Sequence, residues 1–148
     1  MTNGTWVVVA DTCRARIFVD RGRREGLEER EGFAHPGGRE HIRDRVSDRS
    51  GMKPAAGGNG VRAGITPEVD PKEAEARAFA RFLADNLKQH LNRQDFKDLV
   101  LAAPPHFLGL LRAALDDAVG RCVVASFGKD YIALDANELA RRIMAYAR

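Results

Sequence analysis

Apolar residues fall along this chain in two rhythms, and the change between them divides it. Trp6-Val7-Val8-Val9-Ala10 is a continuous β-branched run that suits a strand covered on both faces. After a turn signal at Asp11-Thr12 the next segment, Arg14 to Asp20, alternates. It places Ala15, Ile17 and Val19 on one face and Arg14, Arg16 and Asp20 on the other, which predicts a half-exposed strand hairpinned to the first. Leu27 to Phe33 reads as a short third strand at an edge, because its charges discourage further pairing.

From residue 70 the period changes to three and four. Asp70-Pro71-Lys72-Glu73 predicts a helix start, with Asp70 as cap, Pro71 at the first helical position and Glu73 closing a capping box. Ala74, Ala78, Phe79, Phe82, Leu83, Leu87 and Leu91 then form the apolar face of a helix of about five turns, which leaves His90 on the surface. Leu99 to Ala103 predicts a buried strand. Pro104-Pro105 ends it and opens a helix facing inward through Phe107, Leu111, Ala114, Leu115 and Ala118, with Gly120 placed as its terminator. Cys122 to Ala125 predicts another buried strand. Asp135 and Glu138 start a last helix with Leu139, Ile143 and Met144 turned inward. The order β-β-β-loop-α-β-α-β-α predicts a single α/β domain over residues 1–148: a meander, then alternating helices and strands on one mixed sheet. The strands near 101 and 124 are expected to be central.

Residues 34–69 fit neither rhythm. Ser47 to Asp70 holds five of the chain's 14 glycines and two of its six prolines, with almost no large apolar residue. So long a connection within a compact domain is expected to have a use. At 148 residues and 44% apolar composition the rest of the chain has enough material for a core. Lys+Arg number 24 against 21 Asp+Glu, a net charge of +3 that permits an anionic partner without requiring one. Arginine outnumbers lysine, and its planar fork suits phosphate; arginine-rich codon usage is the plain source of that excess. Cys13 and Cys122 lack metal-type spacing and are expected to be reduced thiols. No leader-like start and no run of 18 apolar residues stands in the sequence, which predicts a cytoplasmic protein that does not span or bind a membrane.

Several motifs carry a resemblance. Trp6 to Asp11 followed by Ala15-Arg16-Ile17-Phe18, then Ser47-Asp48-Arg49, then Asp70-Pro71 leading into Arg77-Ala78-Phe79-Ala80, stand in the order found in the bacterial host-attachment protein family. Ala103-Pro104-Pro105-His106-Phe107-Leu108-Gly109-Leu110-Leu111-Arg112 is the most specific of these stretches, and Lys129-Asp130 before the helix capped by Asp135 completes the set. That family is similar to the middle domain of archaeal and eukaryotic peptide-chain release factors and of Pelota-type rescue factors. The resemblance implies a ribonuclease H-like mixed sheet. It also implies that the segment after the meander corresponds to the release-factor loop ending in Gly-Gly-Gln. Gly57-Gly58-Asn59-Gly60 stands at that place, with Asn59 where the glutamine would be.

The chemistry of these residues points first to binding. Paired glycines let backbone approach a ligand and present N–H groups to an anion. Asn59 offers a donor and an acceptor, and it is the weak candidate for catalysis. Arg14, Arg16, Arg43, Arg45, Arg49 and Arg62 are expected to form a basic face beside the loop. No aromatic residues are interleaved among them, which favours phosphate contacts with structured RNA over base stacking. His106, at a strand-to-helix junction, joins the binding set. Asp11 and Asp130 follow strands but make no metal constellation with each other, and His35 and His41 do not have ligand spacing. The sequence therefore points to no metal and no cofactor. The leading expectation is a non-enzymatic module for RNA or the translation machinery, the ribosome included. The alternatives are hydrolysis of peptidyl-tRNA or another ester at the Gly-Gly-Asn loop, and an indirect role in attachment to host cells.

Overall fold

The computed structural model describes residues 4–22, 24–34 and 70–147. Five strands form one sheet: β1 (Gly4–Ala10), β2 (Arg14–Asp20), β3 (Leu27–Ala34), β4 (Phe96–Ala102) and β5 (Val123–Phe127). Their spatial order is β3-β2-β1-β4-β5. The meander is antiparallel, with Trp6 opposite Val19 and Ala10 opposite Ala15 in the first pair and Arg14 opposite Ala34 in the second. β1 and β4 are parallel, as are β4 and β5. Four helices accompany the sheet: α1 (Pro71–Asn92), α2 (Pro105–Ala114), α3 (Asp117–Cys122) and α4 (Ala136–Ala147).

The core has two layers, one on each face. Trp6, Val8, Ala10, Ala15, Ile17, Leu99 and Leu101 pack with Phe79, Leu83, Leu87, Phe107 and Val119 from the first three helices. Val7, Val9, Phe18, Val100 and Ala102 pack with Tyr131, Ile132, Leu139 and Ile143 on the other side. β1 supplies both layers, which is what its unbroken apolar run requires. It is therefore the middle strand. β4 is internal as expected, but β5 is an edge, and its Val124 is 60% exposed. The apolar content of 123–127 is taken up by its two faces and not by a neighbour on each side.

Strand β2 also departs from its reading as half-exposed. Phe18 shares a face with Arg16 and is fully buried beneath the α4 layer. Arg16 sits over the Phe18 ring at 4.9 Å and donates from Nη1 to the carbonyls of Ile132 (2.7 Å) and Leu134 (2.8 Å). Its Nε and Nη2 take the Glu29 carboxylate.

Helix α1 begins as expected: Asp70 accepts from Lys72 N at 3.0 Å, and Pro71 follows. Its buried face is Ala76, Phe79, Ala80, Leu83, Ala84, Leu87 and His90. Ala74 and Ala78 are exposed and Phe82 is 40% exposed. The small side chains of Ala76, Ala80 and Ala84 let the helix approach the sheet, while Phe82 packs at the border, edge-on to Phe33 at 5.4 Å. Glycine is absent from the helix end. Arg93 caps, Gln94 takes a positive φ of 63°, and Gln94 N and Asp95 N donate to Leu91 O and His90 O.

Helix α2 stops at Ala114, where Leu115 becomes extended. Asp116 then caps α3 by accepting from Ala118 N. Gly120 thus lies inside a second short helix and terminates neither; the renewed capping signal at Asp116-Asp117 overrides it. At α4, Asp135 accepts from Glu138 N at 2.8 Å, and Leu139 and Ile143 are buried. The Met144 side chain lies outside those described.

Candidate functional site

The carboxyl ends of β1, β4 and β5 point the same way, because β4 runs parallel to both neighbours. In open α/β sheets that end is where ligands gather. Ala34 pairs with Arg14 just beyond the end of β1, so β3 finishes there too. Asp70 caps α1 at the same end, as the contact between the first turns of α1 and α2 fixes. Residues 34 and 70, the two flanks of the long polar segment, therefore both belong to this end of the sheet. Gly57, Gly58, Asn59, Gly60, Arg43, Arg45, Arg49 and Arg62 fall outside the described residues.

His106 is the candidate that the structure describes. It occupies the second position of α2, after Pro104, which offers no capping side chain. Its side chain is 70% exposed, and Nε2 lies 2.8 Å from Glu73 Oε1. The other Glu73 oxygen takes Arg77 Nε at 3.3 Å. Glu73 therefore ties the starts of two helices together, where a capping box would have turned it back on its own. The hydrogen bond from His106 holds the Glu73 carboxyl below its usual range, against an opposing effect of burial. In the neutral ring an Nε2–H donated to Glu73 leaves Nδ1 as an acceptor. Behind this pair Gly128 lies on Pro105: a Cβ there would stand 3.5 Å from Pro105 Cγ. Ala103 N donates to Phe127 O at 3.0 Å.

The two aspartates at this end shape turns. Asp11 Oδ1 accepts from Cys13 N and Arg14 N, both at 2.8 Å, and Asp130 Oδ1 accepts from Ile132 N at 3.4 Å. Among the described residues no group of three or more His, Cys, Asp or Glu side chains is placed to hold a metal ion. Arg14 is exposed here. Arg16 is not, since its donors are spent on two backbone carbonyls and Glu29, and it leaves the expected basic face. Cys13 and Cys122 are unbridged and half-buried, and burial pushes the Cys122 thiol up.

A second cluster, at the other end of the sheet, was not legible beforehand. His90, expected on the surface, is 7% exposed. Its Nδ1 is 2.7 Å from Asp95 Oδ2 and its Nε2 is 3.4 Å from Glu31 Oε2. The ring lies 4.9 Å from the Trp6 ring, over which the Arg30 guanidinium sits at 4.9 Å. The hydrogen bond to His90 holds the Asp95 carboxyl below the usual aspartate range. Trp6, Arg30 and Asp95 also line a cavity of about 300 Å³ with Val19, Asp20 and Arg21. Only the i, i+3 and i, i+7 spacing of His90 from buried Leu87 and Leu83 hinted at an inward position; Glu31 comes from a strand far away in sequence.

Solved structures resemble this chain. An archaeal protein superimposes with a TM-score of 0.51 at 10% identity, over 99% of this chain and 35% of its own. A translation termination-like factor of S. cerevisiae, involved in RNA quality control pathways, gives 0.51 at 12% identity, over 98% and 34%. An archaeal translation termination factor gives 0.46 at 12%, over 98% and 35%. This chain thus spans about a third of the length of each, and at such identities the likeness to the two at 0.51 is one of fold: a mixed-sheet α/β unit shared with part of a translation termination-like factor. No curated protein matches the sequence. Among the described residues no helix is long and apolar enough to cross a membrane. The sequence pattern of one protein family matches residues 6–143, and the chain belongs to that family, described as "Protein required for attachment to host cells".

Proposed function

We propose that this protein is a binding module for structured RNA, with the ribosome as its natural source, and that it makes contact through residues 34–69. One observation carries the proposal: the two flanks of that segment, Ala34 and Asp70, belong to the ligand-gathering end of the sheet, beside exposed Arg14 and the His106–Glu73 pair. The segment brings Arg43, Arg45, Arg49 and Arg62 for phosphates and Gly57-Gly58-Asn59-Gly60 for close backbone approach. The yeast structure sharing this fold is of a termination-like factor in RNA quality control, which is consistent with such a partner. The family's role in attachment to host cells is then indirect, through the translation of other proteins.

The protein is expected to sediment with ribosomes from lysate and to be released as salt rises, because phosphate contacts release counterions. Association that ignores salt, or that survives changing Arg43, Arg45 and Arg49 together to Glu, would sink this reading.

The His106–Glu73 pair favours a second reading. An imidazole oriented by a carboxylate is the base-and-orienter arrangement of hydrolytic sites. With Asn59 it gives ester hydrolysis, peptidyl-tRNA being the candidate substrate. Release of peptide and free tRNA from peptidyl-tRNA by the wild type, abolished in Asn59→Ala and in His106→Ala, supports this; no release by the wild type ends it.

A further inference from the structure

His90 occupies an unusual position for a histidine. It is buried, yet each ring nitrogen faces a carboxylate, and the two carboxylates belong to different elements. Asp95 comes from the turn that follows α1, and Glu31 from edge strand β3. The two contacts are unequal. Nδ1 to Asp95 is a short hydrogen bond at 2.7 Å. Nε2 to Glu31 stands at 3.4 Å, and among the described residues the buried Oε2 of Glu31 has no hydrogen-bond partner. A ring with one proton, carried on Nδ1 and donated to Asp95, produces this pattern: its Nε2 lone pair faces a carboxylate oxygen that also has only lone pairs to offer.

We propose that His90 is a proton-operated latch between β3 and α1. When the ring takes a second proton from solvent, Nε2–H donates to Glu31 Oε2, the orphaned oxygen gains a charge-assisted bond, and β3 is pinned to the helix. When that proton leaves, the bond is lost and β3 is held there by packing alone. The charged groups around the ring are few. Asp95 and Arg93 come from the end of α1 and its turn, with Arg93 Nη1 at 3.5 Å from Nδ1, and Glu31 and Arg30 come from β3. Trp6 from β1 lies against the ring and Phe96 from β4 against Trp6, while Asp20 and Arg21 line the cavity beside Trp6, Arg30 and Asp95. Both carboxylates favour the second proton and both guanidinium groups oppose it. Asp95 Oδ2 approaches to 2.7 Å and Glu31 Oε2 to 3.4 Å, against 3.5 Å for Arg93 Nη1.

The latch joins the two elements that flank residues 35–69. β3 ends at Ala34, and α1 begins at Pro71. Its state therefore bears on the frame of that segment, whatever the segment binds.

The full-length protein tests this by ¹⁵N NMR of the His90 ring together with amide exchange of β3, followed from about pH 5.5 to 8, the range in which imidazoles change charge. At the acid end both ring nitrogens are expected to carry protons. The β3 amides bonded to β2 should exchange more slowly there by about ten- to a hundredfold after correction for intrinsic rate, the effect of one charge-assisted hydrogen bond. Glu31→Gln, which keeps the shape but not the charge, should abolish this pH response. A ring that titrates in the wild type with no change in β3 protection overturns the proposal without any variant. So does a pH response that persists undiminished in Glu31→Gln.

Discussion

At the scale of single residues, three side chains do work that their position in sequence does not announce. Arg16 stands in an alternating strand as a solvent-facing charge would, yet it holds the turn before α4 through Ile132 O and Leu134 O. Arg16→Met is expected to destabilise by about 1–3 kcal/mol in urea unfolding, because two partly buried carbonyls lose their donor. Gln94 is held at φ 63°, a conformation that costs a residue with a Cβ. Gln94→Gly is expected to raise stability by about 0.5–1 kcal/mol, the relief of strain outweighing the greater freedom of glycine in the unfolded chain. Glu73 is the third. Its carboxyl is held low chiefly by His106, so the bond contributes above the usual carboxylate range and is lost as pH falls through the lowered value. In His106→Ala the Glu73 carboxyl carbon is expected to titrate closer to an ordinary glutamate by ¹³C NMR. It should stop short of full recovery, because Arg77 remains beside it.

Elements were more legible than their faces. The strand and helix types followed from period: continuous in β1, alternating in β2, three-and-four in α1. The centre of the inward side of α1 followed, through Phe79, Leu83 and Leu87, but its borders did not, since size suggested Phe82 while close approach to the sheet selected Ala76, Ala80 and Ala84. Ala80→Leu should therefore cost about 1–3 kcal/mol in denaturant unfolding by overpacking that contact. The position of β5 was likewise hidden. A short apolar run reads as interior whether its two faces or its two edges are covered, and only the pairing partner distinguishes them. The His90 cluster escaped for a related reason: its carboxylates come from β3 and from the turn after α1, and single-sequence patterns register neighbours three or four residues apart, not across a sheet.

For the whole molecule, the order of elements foretold a mixed sheet with helices against it, and the topology brings Ala34, Asp70 and His106 to the ligand-gathering end. Of the proposed contact residues, those between 35 and 69 rest on sequence, whereas His106 and Arg14 are positioned by the fold. The central claim is that the segment's arginines meet phosphates. Its most direct test is the salt dependence of binding to ribosomal RNA, measured for the wild type and for the variant with Arg43, Arg45 and Arg49 changed to Ala. Each phosphate contact removed lowers the steepness of log K against log salt by about 1, so the variant should bind more weakly with a slope shallower by up to about 3. Equal slopes for the two proteins, or no binding by the wild type at low salt, would contradict the account.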